Sequence, residues 1–310
     1  MKVAITGVAG FIGSNLAVEL LKNNFNVIGI DNLSYGVIDQ VPKNVAFFKE
    51  DIRDKNIKSL FKGVDFVFHL AAKNSIIDCE KNPQETNDIN IEGTKNIFNL
   101  CLENNVKKVI YAESSAVYEG SKNLPSVESE IMPKSTYALS KIENHKIAKE
   151  YNAKFGLNTT GLRYFNVYGP RQDYRRTIPP VFSAFIINFL KNKQPVIYGD
   201  GSKKRDFIYV DDVNFFHSLC MTNKSTDGEV FNIGSGNNYS VKYIFDLIKK
   251  MLKSNLNPIY KDNFDFEAQN NLANIDKAKS IGWQPNVSIE EGLKKSIDYI
   301  QANVIKGEIK

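Results

Sequence analysis

Cysteine is scarce and unpatterned in this chain of 310 residues: Cys79, Cys101 and Cys220 are odd in number, widely spaced and outside any metal-ligand spacing. That excludes a disulfide framework and fits a reducing compartment. Nothing near His69 completes a metal set either, so it reads as a histidine at the end of a core strand, and no metal is expected. A signal peptide is missing, because Lys2 leads into a short apolar run that Thr6-Gly7 breaks at once. No apolar stretch approaches membrane-spanning length; Phe185-Ile-Ile-Asn-Phe-Leu190 has the size of a core helix. Charge of one sign is weak too, at a net +5, with no basic block of the kind that grips nucleic acid. The excess suits anionic small molecules, and a lysine-rich solvated surface explains it equally well. These absences lead us to expect a soluble cytoplasmic protein with neither a membrane nor a nucleic acid as partner.

What is present is ordinary globular material, 42% hydrophobic and 24% charged, long enough for one large α/β unit or two domains sharing a cleft. Val3-Ala-Ile5 reads as a buried strand, Ser14 to Asn23 carries helical periodicity, and Phe25 to Ile30 is the next strand, a parallel crossover in about thirty residues. Strand-like runs recur at Val45–Phe48, Val64–Leu70, Val106–Ala112 and Asn158–Tyr164, with helical patterns at Thr86–Glu103 and Tyr137–Phe155. Such alternation predicts a doubly wound parallel sheet. After Arg163, Gly and Pro punctuate shorter elements, with helices expected at Pro180–Leu190, Asp211–Met221 and Val241–Leu252. We read a division near residue 165 into domains 1–165 and 166–310, with a soft boundary across which elements return.

Two stretches carry chemistry. Tyr137 and Lys141 lie four residues apart in a helical pattern, which puts their Cβ atoms about 5–6 Å apart on one face. An ammonium one turn away favours a phenolate and brings tyrosine toward the working range of a general base; alone, the spacing is also a common accident on helices. Gly7-Val-Ala-Gly10-Phe-Ile-Gly13 sits between the first strand and the first helix, where glycines let a pyrophosphate approach the helix N-terminus. Eighteen residues after Gly13, Asp31 ends the second strand, placed to accept hydrogen bonds from a ribose 2′-hydroxyl. A 2′-phosphate would be repelled there, which favours NAD over NADP. The alternative is a strand-ending aspartate that caps a turn.

With these residues in hand the chain resembles the extended short-chain dehydrogenase/reductases of the NAD-dependent nucleotide-sugar epimerase/dehydratase group, and among them the UDP-glucose 4-epimerase type. The resemblance runs through Thr6–Gly13, Asp31–Gly36, Asp51–Asp54, His69–Ala72, Asn90–Thr94, Ser114–Tyr118, Tyr137-x-x-x-Lys141, Arg163–Pro170 and Gly199–Asp212. It implies a Rossmann-type NAD-binding domain followed by a smaller α/β domain for the nucleotide sugar. On the cofactor it places Gly7, Gly10, Phe11, Ile12, Gly13, Asp31, Asn32, Asp51, Ile52, Leu70, Ala71, Ala72, Tyr137, Lys141 and Tyr164. The small residues at 70–72 also have a reading as tight sheet packing. Asn90 is expected to pin the following helix to the sheet. The resemblance makes Ser114, Tyr137 and Lys141 the catalytic group. Tyr137 takes a proton from a sugar hydroxyl, usually on C4; Lys141 depresses the Tyr137 pKa and bonds the nicotinamide ribose; Ser114 bonds the reacting oxygen.

The family divides by what precedes Val117-Tyr118. Dehydrating relatives carry Asp-Glu there and decarboxylating relatives keep the Glu, whereas this chain has Ser115 and Ala116. Alanine transfers no proton, so simple epimerisation through a 4-keto sugar is what remains. On the substrate, a UDP-sugar in this reading, the resemblance places Ser75, Ser114, Asn166, Val196, Tyr198 and Arg205. A solvated basic loop is the alternative for Lys203-Lys-Arg205. There are two departures. The arginine expected to grip the diphosphate is missing where the chain reads Phe264-Asp-Phe-Glu267, so that contact is lost or supplied by one of Arg171, Arg175 and Arg176. Glu119-Gly120 follows Tyr118, where many relatives have Gly directly. The alternatives are net oxidation or reduction of a nucleotide sugar, epimerisation at another carbon, or a non-catalytic NAD-binding regulator or scaffold. The helices Thr86–Glu103 and Tyr137–Phe155 resemble those that build a four-helix homodimer interface.

Overall fold

The strands of the first half are not amphipathic: Val3, Ala4 and Ile5, and Val67 and Phe68, are wholly buried in unbroken runs. A strand covered on both faces needs such runs, and parallel sheets provide that setting. In the computed structural model, which describes residues 1–174, 179–263 and 269–305, the strands in chain order begin with β1 (Lys2–Thr6), β2 (Asn26–Ile30), β3 (Ala46–Phe48), β4 (Phe66–His69), β5 (Lys108–Ser114) and β6 (Thr159–Tyr164). They continue with β7 (Asn166–Tyr168), β8 (Val196–Tyr198), β9 (Lys204–Tyr209), β10 (Val230–Ile233), β11 (Asn238–Ser240) and β12 (Ile259–Lys261). Arg175, Arg176 and Phe264–Glu267 lie outside the described residues.

A seven-stranded sheet has the order β10-β6-β5-β4-β1-β2-β3. β1 pairs in parallel with both β2 and β4, so the chain reverses its direction of travel across the sheet at β1. In doubly wound sheets the crevice at such a switch point, off the carboxyl ends of the strands, receives ligands. Here those ends deliver Gly7 and Leu70 side by side. The expected doubly wound fold is therefore present, with strand ends within about two residues of those read from the sequence.

Each helix has a local cause. Thr136–Phe155 is capped by the Ser135 hydroxyl, which accepts from Ala138 N at 3.1 Å, and it stops at Gly156 in the left-handed region at φ 71°. The helix expected over Thr86–Glu103 is interrupted: Pro83–Asn87 is α-helical, Asp88–Glu92 is a π-turn, and the α-helix resumes over Gly93–Glu103. The buried Asn90 lies in the π-turn. Its amide accepts from Lys73 N at 2.8 Å and donates to Lys73 O at 2.9 Å and Ser140 Oγ at 3.0 Å. Asn90 thus ties the segment after β4 and the helix Thr136–Phe155 to its own turn, rather than acting only on the helix that follows it.

The chain forms two compact units. One comprises Met1–Lys122, Glu128–Tyr164 and Asn214–Asn232; the other comprises Asn123–Val127, Phe165–Val213 and Ile233–Lys310. The division falls inside the helix Val210–Thr222. The second unit holds a three-stranded sheet in the order β11-β9-β7 and the parallel pair β8–β12. The fully buried Asp206 organises it. Its carboxylate accepts from Ser235 N and Oγ at 2.7 Å each, Ala273 N at 3.0 Å and Gly236 N at 3.1 Å. Trp283, also buried, donates from Nε1 to Asp212 O at 3.1 Å.

Asp206→Ala strands these donors in the interior, and we expect a loss of about 3 kcal/mol in unfolding free energy. Urea denaturation followed by fluorescence reads it directly; an unchanged midpoint refutes the anchoring role.

Candidate active site

Gly7 begins the loop after β1 at φ +75°, and its N–H donates to Ile30 O at 2.8 Å. A Cβ there would stand 2.8 Å from Ala71 N, and one on Gly13 would stand 2.2 Å from Gly7 O. Those positions therefore exclude side chains, and the helix Phe11–Lys22 starts pressed against the strand. Gly10 caps it without a side-chain bond, and no acidic residue lies in its first turn. The first N–H groups of a helix have no partner within it, and here no side-chain cap and no acidic residue competes for them, as an anion site needs. Asp31, nearly buried, accepts from Leu33 N at 2.8 Å and Ala9 N at 3.0 Å. The turn-capping alternative is therefore true, and the capping holds the glycine loop against the end of β2. Burial raises the Asp31 pKa, and the bonds from Leu33 and Ala9 oppose that rise.

Asp51 is bound by Arg53, Nε at 2.9 Å and Nη2 at 2.7 Å, and by Asn32 Nδ2 at 2.9 Å. The Arg53 hydrogen bond holds the Asp51 carboxyl well below its usual range, with smaller help from Asn32. Arg53 was not anticipated in this role. It is the only arginine of residues 31–36 and 51–54, and Asp51 pairs with it. Ile52 is buried, and a Cβ on Gly93 would meet its Cδ1 at 2.6 Å, so it packs on the start of the helix Gly93–Glu103.

At the end of β4, His69 Nδ1 lies 2.7 Å from Thr6 Oγ1 and its Nε2 lies 3.0 Å from Thr94 Oγ1. Thr94 gives its own hydrogen to Asn90 O, so it accepts from Nε2–H, and Thr6 donates to Nδ1. Burial drives the His69 pKa down to about 3, with Lys141 adding to the effect. This neutral imidazole is a core residue, and among the described residues no group of His, Cys, Asp and Glu could hold a metal. Ala71 packs on Gly7, so the tight-packing reading holds for this segment. Ser75 caps the short helix Ile76–Lys81 through Asp78 N at 3.3 Å.

The helix Thr136–Phe155 packs on β5 and on the single turn Ser115–Tyr118. Lys141 Nζ lies 5.7 Å from the centre of the Tyr137 ring and donates to Ala112 O at 2.9 Å. Burial pushes the Lys141 ammonium down to about 8, against the opposing pull of Glu113 and then Cys79. Ser114 ends β5 and caps the turn, its Oγ accepting from Ala116 N at 3.2 Å. Its register partner is Tyr164, whose hydroxyl is engaged with His217 Nε2 at 2.6 Å and whose pKa burial raises strongly. Glu119, the departure after Tyr118, accepts from Ser135 N and Ser135 Oγ at 3.0 Å each. Glu80 accepts from the Thr136 hydroxyl at 3.0 Å. Two carboxylates thus clasp the N-terminus of the helix that carries Tyr137, where its dipole favours negative charge.

In the second unit, Asn166 donates to Asp206 O at 3.0 Å and to Asn271 Oδ1 at 3.2 Å, so its amide hydrogens serve the sheet. Arg205 donates to Lys204 O at 3.0 Å and Gln269 O at 3.3 Å. Val196 and Tyr198 stand on β8, opposite Ile259 and Lys261 of β12. These four residues fall on two different sheets of the unit. Arg171, at φ 67°, carries its guanidinium 5.9 Å from the Tyr299 ring centre.

The sequence pattern of the NAD dependent epimerase/dehydratase family matches residues 3–234. Among solved structures, the UDP-glucose 4-epimerase of Thermotoga maritima with UDP-glucose is 35% identical with a TM-score of 0.94, covering 98% of this chain and 100% of that one. The UDP-N-acetylglucosamine 4-epimerase of Methanobrevibacter ruminantium in complex with UDP-N-acetylmuramic acid is 34% identical with a TM-score of 0.94, covering 98% and 99%. The Thermus thermophilus UDP-glucose 4-epimerase complex with NAD is 30% identical with a TM-score of 0.90, covering 98% and 100%.

The side-chain-free cradle at Gly7 and Gly13, next to the Asp31 carboxylate, fits NAD. Gly13→Ala forces the helix off the strand, and we expect NAD affinity to fall at least about tenfold, roughly 1.4 kcal/mol. Calorimetric titration checks this, and wild-type affinity in the variant refutes the cradle.

Proposed function

This chain belongs to the NAD dependent epimerase/dehydratase family, and from that premise we propose that it interconverts a UDP-hexose or UDP-N-acetylhexosamine with its C4 epimer. The observation that carries the reading is Tyr137, one helical turn from a buried Lys141 ammonium, on a helix packed against the strand that ends in Ser114. NAD, when bound, supplies the place to which hydride leaves the sugar and from which it returns. Tyr137, as the phenolate that the Lys141 ammonium stabilises, takes the proton of the hydroxyl on C4 and becomes the neutral phenol, and Ser114 donates to the reacting oxygen. Gly7, Gly10, Phe11, Ile12, Gly13, Asp31, Asn32, Asp51, Ile52, Leu70, Ala71, Ala72 and Tyr164 hold the cofactor. Ser75, Asn166, Val196, Tyr198 and Arg205 hold the nucleotide sugar.

Elimination and decarboxylation are disfavoured by more than the absence of a carboxyl at Ser115 and Ala116. The two carboxylates flanking that turn are both committed. Glu113 is buried against Arg163, and Glu119 is bonded to Ser135. Neither is free to serve as the acid or base of a second step.

The helix Thr136–Phe155 leaves Leu139 and Phe155 exposed, at 54% and 58%, which supports a homodimer in which it and the segment Thr86–Glu103 form a four-helix bundle. The three cysteines are buried and unpaired, and among the described residues no helix is long and apolar enough to cross a membrane. Both observations support a cytoplasmic location.

Chromatography of products from a panel of UDP-, GDP- and dTDP-sugars tests the activity. We expect a UDP-sugar and its C4 epimer to interconvert without net change in nicotinamide absorbance; stoichiometric NADH would make the protein a dehydrogenase instead. Tyr137→Phe is expected to lower kcat at least about a hundredfold while NAD remains bound, and full activity in that variant sinks the mechanism. Sedimentation at micromolar concentration should give a dimer, and a monomer would remove the four-helix interface.

A further inference from the structure

Glu113 immediately precedes Ser114 on β5, so the two side chains leave opposite faces of the strand. Its side chain is fully buried, yet it is the meeting point of three bonds. It accepts from Arg163 Nε at 2.7 Å and from the Tyr111 hydroxyl at 2.9 Å, and it meets His145 Nδ1 at 3.1 Å. Arg163 stands opposite Glu113 in the parallel register of β5 and β6. Its guanidinium continues to the Tyr118 hydroxyl at 2.9 Å and to Glu128 O at 2.6 Å. Tyr118 closes the turn that Ser114 caps. His145 follows Tyr137 and Lys141 at successive four-residue steps on the helix Thr136–Phe155, along one face. Lys141 Nζ binds the carbonyl of Ala112, the residue before Glu113. A single carboxylate therefore links the strand end of Ser114, the turn after it and the helix of Tyr137 and Lys141.

We propose that Glu113 is a positioning residue for the reaction: through Arg163 and His145 it sets the strand end of Ser114 against the helix of Tyr137 and Lys141, and it stands as the counter-charge to the buried Lys141. The inference rests on the reading of Ser114, Tyr137 and Lys141 as the catalytic group.

The surrounding charges support it. Burial opposes ionisation of Glu113, but the His145 hydrogen bond and the Arg163 charge outweigh it and hold the carboxyl below its usual range. The groups facing Glu113 are Tyr111 from its own strand, Arg163 from β6, and His145 and Lys141 from the helix. Those facing Lys141 are Glu113, Cys79 of the helix Ile76–Lys81, Tyr137 on its own helix and His69 of β4. Of these, Glu113 opposes the loss of the Lys141 proton most strongly. A negative neighbour stabilises the ammonium, so its removal lets Lys141 deprotonate at lower pH. The alkaline limb of the kcat profile then moves to lower pH.

The test measures kcat and KM of the NAD-bound wild type, Tyr137→Phe and Glu113→Gln from about pH 5 to about pH 10, with UDP-galactose and UDP-N-acetylgalactosamine as probes. In Glu113→Gln we expect kcat at its optimum to fall at least about tenfold, KM to stay within about twofold, and the alkaline limb to shift down by about one pH unit. A lower kcat with the limb in its wild-type place shows a structural role alone and overturns the inference, as does a wild-type profile. Should Glu113→Gln fail to fold, His145→Gln cuts one of the links and leaves the buried ion pair intact. It is expected to lower kcat at least about threefold at unchanged KM, and wild-type kcat overturns the inference. Full activity in Tyr137→Phe overturns the catalytic reading and this inference together. An inactive Tyr137→Phe with an unshifted Glu113→Gln overturns this inference alone.

Discussion

Three pieces of backbone meet where β1 ends: the loop at Gly7, the first turn of the helix at Gly13 and the segment after β4 at Ala71. Neither glycine has room for a methyl group, since a Cβ on Gly13 would fall 2.2 Å from Gly7 O and one on Gly7 would fall 2.8 Å from Ala71 N. The contact seats the helix N-terminus over the switch point of the sheet, so that a crevice, a set of free N–H groups and the Asp31 carboxylate coincide. Thr6 extends the same junction sideways. Its hydroxyl joins the His69 imidazole and so, through Thr94, reaches the π-turn at Asn90, which holds Ser140 of the helix bearing Tyr137 and Lys141. The glycine loop and the helix that carries Tyr137 and Lys141 are thus parts of one bonded assembly within the first unit.

Much of this was legible in the sequence because it depends on short-range geometry. A buried parallel strand shows itself as an unbroken apolar run, a glycine loop as spacing, and Tyr137 with Lys141 as one turn of helix. What was not legible came from long-range pairing. Glu113 and Arg163 are 50 positions apart, and only the register of β5 with β6 sets them face to face. Arg53 is close in sequence to Asp51, but nothing in the pattern indicated that Asn32 would join them from β2's end. The π-turn at Asp88–Glu92 was hidden for a related reason. Its sequence reads as helix, and the Asn90 side chain within it bonds to Lys73 and Ser140, both remote along the chain.

The residues proposed for the substrate show a different limit. Motif position singled out Asn166 and Arg205, yet in this structure Asn166 spends hydrogen bonds on Asp206 O and Asn271 Oδ1, and Arg205 on Lys204 O and Gln269 O. A pattern of residues reports which side chains occur near a place, and it does not report which bonds they already make. The departure at Glu119 makes the same point in reverse. As a sequence feature it was an unexplained residue in a loop; as a structural one it is an acceptor for the first turn of the helix that carries Tyr137.

The carboxylates near this centre also bear on what the site is suited to do. Glu113 is bonded by Arg163, Glu119 and Glu80 bind the start of a helix, and Asp51 is held by Arg53. A carboxylate already bonded to a cation or to backbone N–H groups is a poor proton carrier, because those bonds favour its ionised form and would have to break for it to act as an acid. None of these four carboxylates competes with Tyr137, Ser114 and Lys141, the groups proposed to move protons. In the proposed reaction those groups suffice, since a proton leaves a hydroxyl, a hydride leaves the carbon that bears it, and both return. Elimination needs a further acid and base beside the next carbon, and the carboxylates that could have served are bonded into the scaffold. The scaffold thus narrows the chemistry as well as holding its residues in place.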